Sequence, residues 1–281
     1  MGVMAASRAG EGLASLLRGY STEVIPRDQR SIEAACDLLP RGSEVFIAAV
    51  PGEIPDRLVA AAARLRNAGL TPAPHVTARS LASLDDADRL IGRLAEEAGV
   101  DRVLALGGDR DRPAGELHSS QQLIASGLLR KHGLRKVFIA CYPERHPRVE
   151  GEVLEAARAA KLRLAAEQGL EVELISQFCF ESGPIVALAK RLRAAYRVGV
   201  AGPASRATLI RYGLMCGIGP SLRALSQGQS RTLAAAETPE TLLAEVAAAR
   251  QSDPALAITG VHFFTFGSLA RSVQFAEGPR R

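Results

Sequence analysis

The 281 residues carry 35 Lys and Arg against 30 Asp and Glu, a formal net charge of +5, with 47% hydrophobic and 23% charged residues. That balance, with no apolar tract long enough to span a bilayer and no low-complexity block, predicts a globular, soluble chain rather than a membrane or disordered one. The basic residues are dispersed among acids and Trp is absent, so a mixed solvated surface, with a local positive funnel for an anionic cofactor or substrate, explains the charge better than nucleic-acid binding.

Residues 1–19 lack the apolar core of a secretion signal and read as a lead segment with one short helix, in a cytoplasmic protein. From residue 20 onward strand-like runs alternate with helix-like ones. The strand candidates are YSTEVI (20–25), EVFIAAV (44–50), APHVT (73–77), RVLAL (102–106), KVFIACY (136–142), VELISQFCF (172–180), RVGVAG (197–202) and ITGVHFFTF (258–266). Between them the 3.6-residue period recurs: Leu58, Ala61, Ala62 and Leu65 before Gly69; Ala87, Leu90, Ile91, Leu94 and Ala98 before Gly99; Ile185, Leu188, Ala189 and Leu192. Residues 203–257 are long enough for more than one helix, the last capped by Thr238, starting at Pro239 and ending near Arg250. Eight such units without a Pro/Gly-rich linker predict an α/β fold, a single (β/α)8 TIM barrel over residues 20–281; an open doubly wound sheet is the alternative. Cys36, Cys141, Cys179 and Cys216 sit in apolar segments without CxxC spacing and read as small core hydrophobes, with no metal site.

The run DRVLALGGD (101–109) is the most informative stretch. Val103 to Leu106 are continuously apolar, as in a strand buried on both faces of a parallel sheet, and Gly107 and Gly108 then turn the chain so that Asp109 lies just past the strand's carboxyl end. In a barrel, chemistry is built at that end. Taken alone, GGD also reads as a strand, a turn and a capping Asp.

Other strand ends carry similar signals. Glu23 lies opposite in phase to Thr22 and Val24 in the first strand; it is either a carboxylate bonded to a neighbouring Arg or Lys, or an acid whose pKa an apolar site raises. His75 follows Pro72 and Pro74 at the third strand, and a single strand-end histidine is more often a hydrogen-bonded structural residue than a catalyst. YPERH (142–146) places Tyr142 and His146 on one turn, with Arg145 between, suited either to a planar cofactor bearing phosphates or to a proline-fixed loop. Gln177, in the sixth strand among Ile175, Phe178 and Phe180, needs partners for a buried amide, which a heterocycle edge or nearby backbone supplies. Lys161 lies beside Ala157, Ala160 and Leu164, either extended to solvent or reaching a phosphate.

Glu23, GGD (107–109), YPERHP (142–147), SQFCF (176–180) and HFFTF (262–266), in this order, resemble the flavin-dependent methylenetetrahydrofolate reductase family, from about Tyr20 to Phe275. The likeness is to the catalytic barrel alone. It implies reduction of 5,10-methylenetetrahydrofolate to 5-methyltetrahydrofolate by NADH or NADPH through bound FAD, in one-carbon metabolism serving methionine biosynthesis, by a homo-oligomer. By the resemblance, Glu23 is the acid that protonates the folate as its imidazolidine ring opens, and Asp109 a pterin ligand beside the flavin. Gln177 is a second pterin ligand, and Tyr212 takes the place of a Phe that stacks on the aminobenzoyl ring. His75, Gly107, Gly108, Asp109, Tyr142, His146 and Lys161 match flavin-contacting positions.

The departures concentrate on the flavin. The family's Arg before Gly-Asp is Gly107, its Thr at the end of the second strand is Ala49, its Thr before the strand-six Gln is Ser176, and the Asn closing its last motif is Gly267. Losing an Arg and a Thr removes donors for an anionic, hydroxyl-rich cofactor. Two alternatives therefore stand beside the flavoenzyme: direct hydride transfer from NAD(P)H to the folate, and a non-catalytic folate-binding protein.

Overall fold

In the computed structural model, which describes residues 2–215 and 238–278, eight parallel strands close into a barrel in sequence order. They are β1 (Ser21–Val24), β2 (Glu44–Ile47), β3 (Thr71–Thr77), β4 (Arg102–Leu106), β5 (Lys136–Cys141), β6 (Glu171–Ser176), β7 (Ala195–Ala201) and β8 (Ile258–Phe264). Ring closure is by β1 on β8, with Ser21 opposite His262 and Thr22 opposite Phe263. That pairing excludes the open sheet, and the chain is a single TIM barrel of the α/β class. All eight expected strands are present, and the differences lie at their ends. β6 stops at Ser176, so Gln177 stands just beyond the strand and not within it; β3 starts at Thr71, two residues earlier than expected, and His75 lies within it, two residues before its end. β8 ends at Phe264, two residues short of the expected run.

The strands form because both their faces are covered. Val103, Leu104 and Ala105 are buried, as are all four residues of β2, the pattern of a parallel sheet wrapped by helices.

One compact unit comprises Glu23–Ala140 and Glu152–Leu174. Its helices are α2 (Gln29–Leu38), α3 (Pro55–Asn67), α4 (Leu84–Ala98), α5 (Ser120–Ala125), α6 (Leu128–Lys131) and most of α7 (Gly151–Glu167). α3 opens with Pro55 at a position where its missing N–H costs nothing, and buries Leu58, Ala61, Ala62 and Leu65. α4 is capped by Ser83, whose hydroxyl accepts from Asp86 N at 3.1 Å, and stops at Gly99 as its sequence period requires. Inside, Phe46 and Phe138 meet edge to face at 4.7 Å, fully buried; each such side chain contributes about 2–3 kcal/mol of burial. The amino ends of the strands carry ion pairs: Arg102 bonds Glu44 and Asp101, and Lys136 bonds Glu173 at 2.6 Å and Glu171 at 3.0 Å.

The other unit comprises Met1–Thr22, Cys141–Gly151 and Ile175–Arg281. α1 (Gly2–Leu17), longer than the short helix expected, packs along α10 (Glu240–Ser252), which also meets α8 (Ser182–Arg191). α10 begins one residue later than expected, Pro239 being its N-cap. α9 (Arg206–Met215) and α11 (Leu269–Glu277) complete the described helices. Tyr196, Val198, Phe178 and Phe263 are buried in its core. Cys141 and Cys179 are buried free thiols, and Cys36 in the first unit is half-buried; Cys216 lies outside the described residues. Among the described residues no helix is long and apolar enough to cross a membrane.

Candidate functional site

Glu23, Asp109, Tyr142 and Gln177 fall near or just past the carboxyl end of their own strands, where barrels carry their chemistry, whereas His75 is inside β3 and Lys161 and Tyr212 are on helices. In the unit containing β2 to β4, Glu23 is the third residue of β1 and is half-buried between buried Thr22 and Val24. Two residues before it, and so on the same side of the strand, is Ser21. His75 is packed edge-on to Phe46, ring centroids 6.2 Å apart. Lys161 is half-buried in the middle of α7, which exposes most of its surface and buries Ala165.

The β4 strand ends at Leu106 and releases Gly107, Gly108 and Asp109 into a loop that runs to Ser119. Gly108 has φ of +98°, and a Cβ there would come within 3.2 Å of Thr77 Cβ, so both its backbone angle and its neighbour select glycine. Gly107 is different. Its φ is ordinary and an added Cβ would meet nothing within 4 Å. Asp109 is exposed at the turn.

In the other unit a narrow cleft is lined by Tyr142, Pro143, Glu144, Arg145, Pro147, Gln177 and Phe178. Tyr142 and His146 meet with their rings nearly perpendicular, centroids 4.7 Å apart, and His146 Nδ1 accepts from Arg148 N at 3.1 Å. The YPERH turn is thus ordered by its own aromatic and backbone contacts. Gln177 is held by its main chain, which donates to Cys141 O at 2.9 Å, while its side-chain oxygen accepts from Phe178 N at 3.1 Å.

Beside Gln177 lies an aromatic group that sequence reasoning named only in part. Phe178 is buried with Ala201, Ala204 and Leu209, and Phe180, Tyr212, Phe264 and Phe266 pack against them. Tyr212 and Phe266 are stacked, centroids 4.4 Å apart and 24° from parallel, with the Arg211 guanidinium over the Tyr212 ring at 5.0 Å. Phe266 was not among the expected site residues. The signal available was its position at the end of the HFFTF run, followed by Gly267.

Deeper in this unit, Ser21 Oγ and His262 Nδ1 are 3.0 Å apart, both buried. Ser176 Oγ accepts from Gly199 N at 2.8 Å. Gly199 carries no side chain because a Cβ would lie 2.0 Å from Ser176 O. Burial pushes the Tyr196 hydroxyl well above its ordinary value and the Cys179 thiol up to about 12, so both stay neutral at physiological pH.

The donor set for a flavin is uneven. Space exists at Gly107, but neither it nor the half-buried Ala49 has a side-chain donor; His75 and Lys161 in the same unit, and Tyr142, Arg145 and His146 in the other, have donors to offer.

No family model matches the chain. Among solved structures, an uncharacterized protein from Clostridium thermocellum that binds two copies of 5-methyl-5,6,7,8-tetrahydrofolic acid is similar with a TM-score of 0.56 and 13% identity, over 95% of this chain and 98% of that one. Dihydropteroate synthase from Thermus thermophilus gives a TM-score of 0.47 and 17% identity, over 93% of each chain. At such identities the first likeness speaks for the fold alone and the second is too distant to argue from.

Proposed function

We propose that this protein binds a reduced folate at the carboxyl ends of its strands and acts as an oxidoreductase of the methylenetetrahydrofolate reductase type, converting 5,10-methylenetetrahydrofolate to 5-methyltetrahydrofolate at the expense of NAD(P)H. The observation that carries the reading is that Glu23 and Asp109 in one unit, and Gln177 in the other, each lie near or just beyond the carboxyl end of their own strand, β1, β4 and β6. The methyltetrahydrofolate ligand of the Clostridium thermocellum protein, a barrel of similar extent, adds support for a folate.

In this reading Gln177 and Asp109 hydrogen-bond the pterin, an amide and a carboxylate together matching its alternating donors and acceptors. Tyr212, backed by Phe266, offers its ring to the aminobenzoyl group. Glu23 gives its proton to the nitrogen that leaves when the five-membered ring opens; the one-carbon unit becomes an iminium carbon and accepts a hydride, which completes the methyl group. FAD would carry that hydride from NAD(P)H; the residues that the resemblance gives it are His75, Lys161 and the Gly107–Asp109 turn in one unit and Tyr142 and His146 in the other.

A second reading, hydride transfer from NAD(P)H directly to the folate, is favoured by one feature: Gly107 and Ala49 stand where the resemblance expects an Arg and a Thr. Purified protein incubated with NADH and methylenetetrahydrofolate, with and without added FAD, separates the readings by assay of 5-methyltetrahydrofolate. Product only with FAD supports the flavoenzyme, product without any bound flavin supports direct transfer, and folate binding without product leaves a binding protein.

A further inference from the structure

The loop that carries Asp109 is tied to one residue that neither motif nor spacing marked. Arg79 lies in the short 3-10 turn after β3, residues Ala78–Ser80. Its guanidinium donates to three main-chain carbonyls of the β4 loop: Nε to Arg110 O at 2.8 Å, Nη2 to Asp111 O at 2.6 Å and Nη1 to His118 O at 3.3 Å. Its own backbone joins in, the N–H donating to Gly107 O at 2.8 Å and the carbonyl accepting from Ala114 N at 2.9 Å. One residue thus holds both flanks of Asp109 and the far limb of the loop.

Neighbouring contacts complete the hold. Gly115 lies so close to the 82–83 backbone that a Cβ would sit 1.8 Å from Ala82 O. Glu116 Oε1 accepts from Leu84 N at 3.0 Å, which ties the loop to the start of α4, and Gln122 Oε1 accepts from His118 N and Ser119 N at 2.7 and 3.1 Å. A loop of this length that lacks secondary structure of its own is uncommon unless it is functional. Here its peptide groups turn inward onto a cation, and the Asp109 side chain is left exposed.

We propose that Arg79 is the positioning residue for Asp109: its planar fork fixes the course of the 107–119 loop and thereby the place from which Asp109 meets a folate. The proposal rests on the folate reading given above. Only a guanidinium has the geometry for it, since five N–H groups in one plane reach three separate carbonyls, whereas a lysine ammonium is a point charge on a flexible stem. No charge partner is needed, because carbonyl dipoles satisfy the fork.

The test compares Arg79→Met, Arg79→Lys, Asp109→Ala and the double variant Arg79→Met/Asp109→Ala in the full chain. Amide hydrogen exchange of residues 109–116 and calorimetric titration with 5-methyltetrahydrofolate are the readouts. Loss of the fork should speed exchange in the loop while leaving β2 and β5 protected. It should also weaken folate binding about tenfold, within the range that misplacement of a contacting group produces. In the double variant the two losses should not add, since Arg79 acts through Asp109. Arg79→Lys should fall between wild type and Arg79→Met on both readouts, and it carries the test if the Met variant does not fold.

Unchanged exchange in the loop overturns the proposal. So does faster exchange with unaltered folate affinity when Asp109→Ala is weakened, and so do additive losses, which would place Arg79 on the ligand independently. If Asp109→Ala binds folate as wild type does, the assignment of Asp109 to folate fails and the positioning role fails with it; exchange in Arg79→Met then reports separately that the loop is still held by the fork.

Discussion

Tyr212 is stacked on Phe266, with ring centroids 4.4 Å apart, and Phe266 reaches that position with φ of +48°, the only positive φ of a non-glycine residue among the described residues. A bulky side chain rarely adopts this conformation. The strain is taken up where the chain leaves β8, and Gly267 follows it at +79°. The expected consequence is specific to the tail of the ligand. Phe266→Ala should weaken 5-methyltetrahydrofolate about three- to tenfold, the worth of an aromatic pair, and leave a pterin lacking the aminobenzoyl group unaffected. Phe266→Gly should be more stable to denaturant than Phe266→Ala by about 1 kcal/mol, because glycine accepts the left-handed angle.

Adjacent glycines after β4 should respond in opposite ways. Gly107 has an ordinary φ and open space around it, whereas Gly108 is at +98° with Thr77 Cβ in the way. Gly107→Arg should therefore fold with an unchanged melting temperature, and it should tighten FAD, measured by quenching of flavin fluorescence on titration of apoprotein. Gly108→Ala should cost about 1–2 kcal/mol and lower the melting temperature by about 3–6 °C. Equal behaviour of the two variants would remove the argument that the Gly107 position still offers room for a cofactor-binding side chain.

The barrel was legible because each strand is an apolar run bounded by helix periods, and burial on both faces leaves no other use for such runs. Strand ends were less so: Phe178 and Phe180 continue the apolar run of β6 past Ser176, yet they serve the aromatic group and not the sheet. Hydrophobicity reports burial and says nothing of which surface does the burying. Glu23 and Gln177 drew attention because a polar residue beside an apolar strand is costly to bury unless it is paired or used, and Asp109 because it follows two glycines at a strand end. Arg79 was not, since an arginine on a half-exposed turn looks like any surface cation until its three carbonyl partners, 31 to 39 residues away, are in place.

At the amino ends of the strands the charges make stability depend on pH from both sides. Burial works against the Lys136 charge, but the hydrogen bond and charge of Glu173, with Glu44 and Glu171, outweigh it, so its pKa is raised from 10.5. Burial likewise opposes the Asp101 charge, and hydrogen bonds from Arg102 and Arg135 overcome it and hold the carboxyl below 3.8. Stabilisation from a raised lysine is fully present below its unfolded value and is lost as pH climbs through the folded one; from a lowered carboxyl it is present above 3.8 and lost as pH falls through the folded value. Urea midpoints should thus be nearly level between about pH 5 and 9 and fall beyond either limit. Lys136→Met, which strands the buried Glu173, should cost about 3–5 kcal/mol at pH 7, and Lys136→Met/Glu173→Leu should recover most of it. A double variant no more stable than the single one would show that the pair is held for packing and not for charge.

Glu23→Gln tests the proposed chemistry most directly. Glutamine keeps the size and much of the hydrogen bonding of the side chain at the half-buried position in β1, but it has no carboxyl proton to give. Removing a general acid typically costs about 10² to 10⁴ in rate. The loss should fall on one half of the cycle, because oxidation of NADH needs no proton delivered to the folate. In stopped flow on FAD-loaded protein, bleaching by NADH should stay near the wild-type rate, and recovery of colour on adding methylenetetrahydrofolate should slow by the factor above. Titration with 5-methyltetrahydrofolate should meanwhile give an affinity close to wild type, since the proton is needed for ring opening and the product ring is already open. Equal slowing of both halves would mark Glu23 as a structural carboxylate. Recovery at the wild-type rate would remove it from the reaction and return the balance of argument to a folate-binding protein without turnover.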